Sequence, residues 1–580
     1  MLNSSPTQNP APLPVNGSKP SFWKKIVHTP KLFKTGDKLI VTIALIVVVA
    51  GALLSVYRWY ISQTNAIGIA GGVYKEGIVG EPKFINPLYN QTTDADRDIS
   101  ALVFSGLMRV DANYQVVTDL AESYDISSDK KTYTFHLRKG VKWHDGETFS
   151  ADDVIFTVGA IQDQNYASPL RPSLKGITVS KVDDNTVKFV LPSAFAPFLT
   201  TLTFGILPAH IWQSVPATNA TVVEENHKPI GTGPFKFSEL KKDKSAGDIL
   251  SFTLDKNTDY YGGQPMINSI EFDFYQTPDD MINAFNRKKI DGMNYIDATS
   301  LGSITRKGVN IHEYRLPVAT SVFLNPSENS ALSKIEVRRA ISYATDKNGL
   351  IQNVLKGHGI PVNGPLLPGF LGYTDNVTKY DFNIEAAKKQ LTSADYKQRD
   401  DGFFYDKNGK ELTIHLQTTD WPQNVATANY LKESWKQAGI NLEVQTFSVA
   451  EIQQTFIRPR KYEALLFSQN LGLDADLYPF WHSSQAFDPG LNLGFVKDEG
   501  LDKQLVAART STDPKDRAAK YEAIQKTITN GASTIFLYSP NYLYPTYRNL
   551  SGTSITNIST PSDRFIDVKD LYVKTKRVFK

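Results

Sequence analysis

Between Tyr133 and Val158 the chain reads YTFHLRKGVKWHDGETFSADDVIFTV, and its apolar period changes within that stretch. Tyr133, Phe135 and Leu137 alternate with Thr134, His136 and Arg138, the period of a half-buried strand. Gly140 and Asp145-Gly146 break that strand into turns. Ser150 then offers an N-cap, Asp153 completes a capping box, and Phe149 and Val154 take the staple positions. The stretch therefore predicts a strand, a turn carrying Trp143, His144 and Asp145, and a capped helix.

The same patterning extends along the chain. VYKEGIVG predicts a first strand, and Pro82 and Pro87 forbid regular structure until a helix begins near Thr93 or Asp94. Further strands are TVKFVL, LSFTLD and SIEFDFY, and Thr277-Pro278-Asp279-Asp280 opens another helix. PIGTGPFKF packs GTGP into a connection whose backbone must approach something closely. After residue 323 the texture changes. Leu412–Gln417 is a strand, Val425, Ala428, Leu431, Trp435 and Ala438 form a helical stripe stopped by Gly439, and Ile440, Leu442 and Val444 alternate. Strand, helix and strand at this spacing predict a βαβ unit in a parallel sheet, hence an α/β fold. YEALLFS, a helix over Pro514–Asn530 and the strand IFLYSP follow. A chain of 580 residues exceeds one core, so two or three domains are expected.

Leu39–Tyr57 is 19 residues long without a charge, about 28 Å as a helix, close to the ~30 Å apolar thickness of a bilayer. It is longer than the apolar region of a cleavable signal (about 7–15 residues), so a retained single-pass anchor is expected. Lys19, Lys24, Lys25, Lys31, Lys34 and Lys38 precede it, which places residues 1–38 in the cytoplasm and the rest outside. Residues 1–58 hold seven basic side chains and one acidic. Removing these from the chain's 63 basic and 60 acidic residues leaves 56 and 59, net −3. With no basic excess in the folded part, nucleic-acid binding loses its first requirement.

The candidate chemistry is sparse. There are no cysteines, so disulfides, thiolate metal sites and cysteine nucleophiles are excluded. The nine histidines lack metal-binding spacing, His312-Glu313 lacks the second histidine of a zinc helix, and no serine elbow or phosphate loop occurs. His144 reads as a hydrogen-bonded turn residue, and Asp152-Asp153 as helix-terminal acids. No cofactor, metal or catalytic residue is expected.

DLAESYDISSDKKTYTFHLRKGVKWHDGETFSADDVIFT resembles the signature of the extracellular solute-binding proteins of peptide-type ABC importers, family 5. VGEPKFINPLY, PIGTGPFKF, NTDYYGG, KKIDG and EVRRAISYATDK resemble its other landmarks in the family's order, over about residues 73–580. The resemblance implies a two-lobed Venus flytrap of the periplasmic-binding-protein type. Lobe I would comprise 72–102, 228–322 and 537–580, with a subdomain inserted at 103–227; lobe II would be 323–536. The tail would be 1–38, the anchor 39–57 and the linker 58–71. The crossings near Pro317–Asn325 and Ile535–Pro540 would form the hinge. Two departures stand out: the expected membrane helix stands where members in Gram-positive bacteria commonly carry a lipid-anchored cysteine, and Ala475 and Leu477 occupy places where prolines are frequent.

The implied function is capture of short peptides and delivery to a permease with its ATPases, by a monomeric, non-enzymatic receptor. A closed cleft for free peptides needs backbone partners, a carboxylate for the ammonium, and aromatic walls. By resemblance, Asp474 or Asp476 would meet the ammonium, and Phe467, Ser468, Gln469 and Asn470 would supply backbone bonds. Thr92, Thr93 and Asp94 would face the cleft from lobe I. Trp421 sits where a parallel sheet opens toward ligands, as a candidate pocket aromatic. The alternatives are a non-peptide solute on the same fold (a nickel complex, an oligosaccharide or an opine), a peptide-binding folding helper or sensor that does not transport, or a secreted hydrolase.

Overall fold

The computed structural model describes residues 35–580 apart from Ala246 and Ala475, so the tail up to residue 34 lies outside the described residues. The chain divides into two compact units, one reaching Ile67 and including Thr575–Lys580, the other Gly68–Lys574. In the first, the apolar run extends into a helix over Thr35–Gln63, longer than expected at both ends. Arg58–Gln63 contains no glycine or proline to stop it. The stretch expected as a linker instead continues as the strand Thr64–Ile69, paired with Lys574–Phe579. Arg577 holds that corner, donating from Nη1 to the Thr64 carbonyl at 3.1 Å and to its hydroxyl at 2.9 Å.

The second unit is built on a twelve-stranded sheet. Its path begins with Asn441–Phe447, Thr413–Thr419, Ala464–Asn470 and Val318–Leu324. It passes through Thr534–Tyr547 and continues to Gly292–Met293, Val73–Val79, Ser269–Tyr275, Ile249–Lys256 and Phe235–Lys242. Thr534–Tyr547 belongs to both lobes. Its first half pairs with Val318–Leu324 and Gly359–Pro361, its second half with Val309–Arg315. The partner strands change at Leu316-Pro317, opposite Ser539–Asn541.

In the second lobe Thr413–Thr419 and Asn441–Phe447 are parallel and joined by the helix Pro422–Gln437, the βαβ unit the spacing predicts. The insert carries a four-stranded antiparallel sheet in the order Ala121–Ile126, Thr132–Leu137, Thr186–Val190, Thr178–Asp183. Tyr133, Phe135 and Leu137 are buried and their neighbours half-buried, as the alternation predicts. Helix Ala151–Gln162 follows, with both halves of its capping box present. The insert and the first lobe share one apolar core, running from Tyr74 through Phe135 to Leu571, so the insert is packed as part of that lobe.

Candidate functional site

A cavity of about 790 Å³ opens where the first lobe, the insert and the tip of Ala464–Asn470 meet. One wall is the helix Asp94–Val103. Thr93 caps it, accepting from Asp96 N at 3.0 Å and donating to Asp96 Oδ2 at 2.8 Å. The other oxygen of the fully buried Asp96 accepts from Lys83 N at 2.7 Å and Phe84 N at 2.6 Å, which ties down the proline-rich loop before the helix. Burial pushes the Asp96 carboxyl up from its ordinary value.

The far end of this helix is clamped by the GTG loop. Gly233 N donates to the Val103 carbonyl at 2.8 Å, and a Cβ on Gly233 would lie 2.5 Å from the Leu102 carbonyl oxygen. A Cβ on Gly231 would overlap the carbonyl of Val103. This is the close approach the sequence predicts. His144 locks the loop: its Nε2 faces the Gly233 carbonyl at 3.0 Å, and its Nδ1 accepts from Gly231 N at 3.2 Å. That pairing requires a neutral ring protonated on Nε2, and burial lowers the His144 pKa to about 4.

Beneath the helix lies a buried ion cluster. Arg564, wholly shielded from solvent, bonds Asp98 through Nη1 at 2.9 Å and Glu76 through Nε at 3.1 Å, with Nη2 shared between both acids. Tyr544 donates to Glu76 at 2.6 Å. Burial raises the Asp98 pKa to about 6 despite the guanidinium beside it. The cluster ties the helix to Pro561–Phe565, whose neighbours line the opposite side of the cavity.

The cavity's own polar wall centres on Asp119, which is almost fully buried. It accepts from the Tyr261 hydroxyl at 2.6 Å, while Arg138 Nε donates to its carbonyl at 2.6 Å and Arg109 Nε lies 3.9 Å from Oδ1. Burial raises both the Asp119 and Tyr261 pKa values, and the nearby carboxylate raises the tyrosine further. Tyr260 packs against Tyr261 with ring centroids 4.7 Å apart. On the helix wall the buried Ser100 hydroxyl has no hydrogen-bond partner among the described residues, an unmet group of the kind a ligand or water satisfies. Tyrosine faces, an arginine and the unmet Ser100 hydroxyl can hold and orient a solute. Among the described residues no cluster of three acidic, histidine or cysteine side chains is placed to hold a metal.

Of the residues expected at the site, Asn470 borders the cavity, together with Gly472 and Leu473 just beyond it. Phe467, Ser468 and Gln469 lie on the strand leading there. One edge of that strand pairs with Val318–Leu324. On the other edge, pairing with Thr413–Thr419 stops at Leu465. Ser468 bonds Thr320 at 2.8 Å, and Gln469 donates to the Leu491 carbonyl at 2.9 Å. Asn90 and Gln91 line the cavity beside Thr92, whose hydroxyl donates to the Tyr89 carbonyl; Thr93 caps, and Asp94 pairs with Arg97 at 2.9 Å. Asp474 is held bidentately by Arg517, with Nη1 to Oδ2 at 2.8 Å, and Asp476 by Arg509 at 3.1 Å. Each carboxylate thus already has a guanidinium from its own lobe. Trp421 is 45% exposed, and its Nε1 donates across the lobes to Asp297 at 3.3 Å. Arg109, Asp119, Tyr261 and Arg564 were not singled out by the sequence: Tyr261 lies 142 residues from Asp119 and Arg564 more than four hundred from its acids, separations that local pattern does not connect.

The model for bacterial extracellular solute-binding proteins, family 5 Middle, matches residues 115–488. The oligopeptide-binding protein AppA of Bacillus subtilis is 30% identical over 492 residues, covering 83% of this chain and 89% of that protein. The dipeptide-binding protein of Escherichia coli is 26% identical over 521 residues, covering 84% and 94%. Among solved structures, B. subtilis AppA in complex with a nonapeptide superposes with a TM-score of 0.71 at 27% identity, over 88% of this chain and all of that one. NikZ of Campylobacter jejuni in complex with Ni(L-His) superposes at 0.73 with 26% identity, over 86% and 99%. By sequence and by fold, this two-lobed chain belongs to the bacterial extracellular solute-binding proteins of family 5, a family of binding proteins rather than enzymes.

Proposed function

We propose that the protein captures short peptides between its lobes and delivers them to the permease of an ABC importer. The observation that carries this reading is the cavity of about 790 Å³ at the meeting of both lobes. Its volume falls in the range of roughly 300–1,000 Å³ usual for ligand sites, and its walls combine tyrosines with a few fixed polar groups. The half-unpaired strand Phe467–Asn470 supports main-chain recognition, since a peptide can use a backbone edge that no neighbouring strand occupies. Relatives named for oligopeptides and dipeptides agree with this chemistry. The closing motion is a rotation of the lobes about Leu316-Pro317 and Ser539–Asn541, where two antiparallel strands pass between them.

The helix Thr35–Gln63 is the proposed anchor. Its stretch Leu39–Gln63 is apolar over most of its length and nowhere buried, and 25 residues make about 37 Å of helix, enough to cross a bilayer. On this reading residues 1–38 are cytoplasmic, and the monomeric binding domain stands outside the cell, tethered beside its permease.

Native mass spectrometry of the full chain purified from its membrane tests both parts. Peptides released on denaturation, with the chain's mass including residues 35–63, are the expected outcome. Release of glycans or metal chelates alone would overturn the peptide reading, and a chain lacking those residues would overturn the anchor.

A further inference from the structure

Asp297 follows the strand Gly292–Met293 of the first lobe and precedes the turn Ala298–Ser303. It is a half-buried carboxylate with an unusual set of partners. The Tyr295 hydroxyl donates to Oδ1 at 2.9 Å, and Trp421 Nε1, from the second lobe, donates to the same oxygen at 3.3 Å. Oδ2 has no hydrogen-bond partner among the described residues, and no lysine, arginine or histidine there lies within ion-pair distance of either oxygen. Burial accordingly raises its pKa, with only the two neutral donors opposing.

Asp297 differs from Asp474, Asp476 and Asp119 in lacking a cation among the described residues. Asp474 and Asp476 each have an arginine, and the carboxylate of Asp119 is met by Tyr261 with Arg109 nearby. A carboxylate partly withdrawn from water but left without a cation is costly unless a cation arrives with the ligand. Its indole partner remains 45% exposed, so an aromatic surface stands beside the free oxygen, as cation recognition favours.

From this arrangement we infer that Asp297, with Tyr295 and Trp421, is the site that takes up a cationic group of the bound ligand, an alkylammonium or guanidinium. The inference rests on the peptide reading above and names the feature selected. Because Trp421 reaches Asp297 from the opposite lobe, a cation here is sensed by both lobes at once.

The test uses the intact protein and three short peptides of one uncharged sequence: with a free amino terminus, N-acetylated, and N-acetylated with one residue replaced by lysine. Calorimetry is expected to show the wild type binding an amine-bearing peptide at least about tenfold more tightly than the acetylated uncharged one. Which amine-bearing peptide gains distinguishes a terminal ammonium from a side chain. Asp297→Asn should shrink the preference, taken as the ratio of the two affinities within each protein, below about threefold. A preference unaltered in Asp297→Asn, or absent from the wild type, overturns the inference and leaves peptide capture standing. Failure of all three peptides to bind takes down the peptide reading and this inference together. Should Asp297→Asn not fold, tryptophan fluorescence decides: amine-bearing peptides are expected to change an emission component that Trp421→Phe lacks, and no such change counts against the site.

Discussion

At the scale of single residues, the side chains that set the site are those whose charge or protonation is fixed by burial. His144 illustrates this with a definite sign. Its pKa is about 4 in the folded chain against an ordinary 6.5, so the folded state binds fewer protons between those values. The stability it supplies is complete above pH 6.5 and is lost as pH falls toward 4, up to about 3 kcal/mol. Urea midpoints of wild type and His144→Gln at pH 7.5, 5.5 and 4.5 should therefore converge as the pH is lowered. A gap independent of pH would show that the ring stays solvated. Arg564 makes a second case. Replacing it with Met strands Glu76 and Asp98 without their cation and is expected to cost about 3–5 kcal/mol by equilibrium unfolding. A loss below about 1 kcal/mol would mean that water reaches the cluster. The two residues also mark what a sequence reveals. His144 stood out as a hydrogen-bonded turn residue because its own neighbours define the turn, although its partners lie some ninety residues away. Arg564 sits in PSDRF, which reads as any polar turn, and its acids are more than four hundred residues distant. Asp297 is equally silent, since what distinguishes it is a missing partner. Asp474 and Asp476 are expected at the cleft by resemblance alone, and the arginines that hold them lie on helices Glu499–Thr510 and Pro514–Gly531, which local pattern does not connect to them.

At the scale of elements, the helix Asp94–Val103 is positioned at its start by Thr93 and Asp96, at its end by the GTG loop, and from below by Asp98. The loop's two glycines and Gly140 separate two reasons for glycine. Gly233→Ala places a methyl group against the Leu102 carbonyl and should destabilise by about 1–3 kcal/mol, with loss of ligand binding as the helix is displaced. Gly140 has open space around it but a φ of +73°, so Ala there should cost about 1–2 kcal/mol and Asn less. Thermal unfolding of the three variants distinguishes crowding from backbone strain. Strand alternation, the capping box and the βαβ unit were legible because their periods are local. The continuation of the apolar helix to Gln63 and the strand after it were not, because TNAIGI becomes a strand only against Lys574–Phe579, at the other end of the chain.

At the scale of the molecule, the proposed capture of ligand between two lobes makes ligand affinity and lobe angle a single equilibrium. Besides Trp421 and Asp297, Tyr114 of the insert reaches the Gly472 carbonyl at 3.4 Å, and Arg509 lies 5.1 Å from the Phe195 ring. These contacts join the second lobe to the first lobe and its insert. Small-angle scattering of the binding domain should therefore report a smaller radius of gyration with bound peptide than without. An unchanged radius would argue that the lobes do not move.

The strand Thr534–Tyr547 has a consequence for how such a chain is made. It is the last long strand of the sheet in sequence, yet it lies at the sheet's middle and completes both lobes. Until it is supplied, Val309–Arg315 and Val318–Leu324 each lack a neighbour, and the two lobes cannot reach their final pairing one after the other from the N-terminus. Contacts this distant in sequence are slow to close. A growing chain thus lacks the final pairing of both lobes until Thr534–Tyr547 has been synthesised. Expressed without residues 534–580, the chain should remain protease-sensitive throughout, and a resistant fragment comprising either lobe would show that a lobe can form alone.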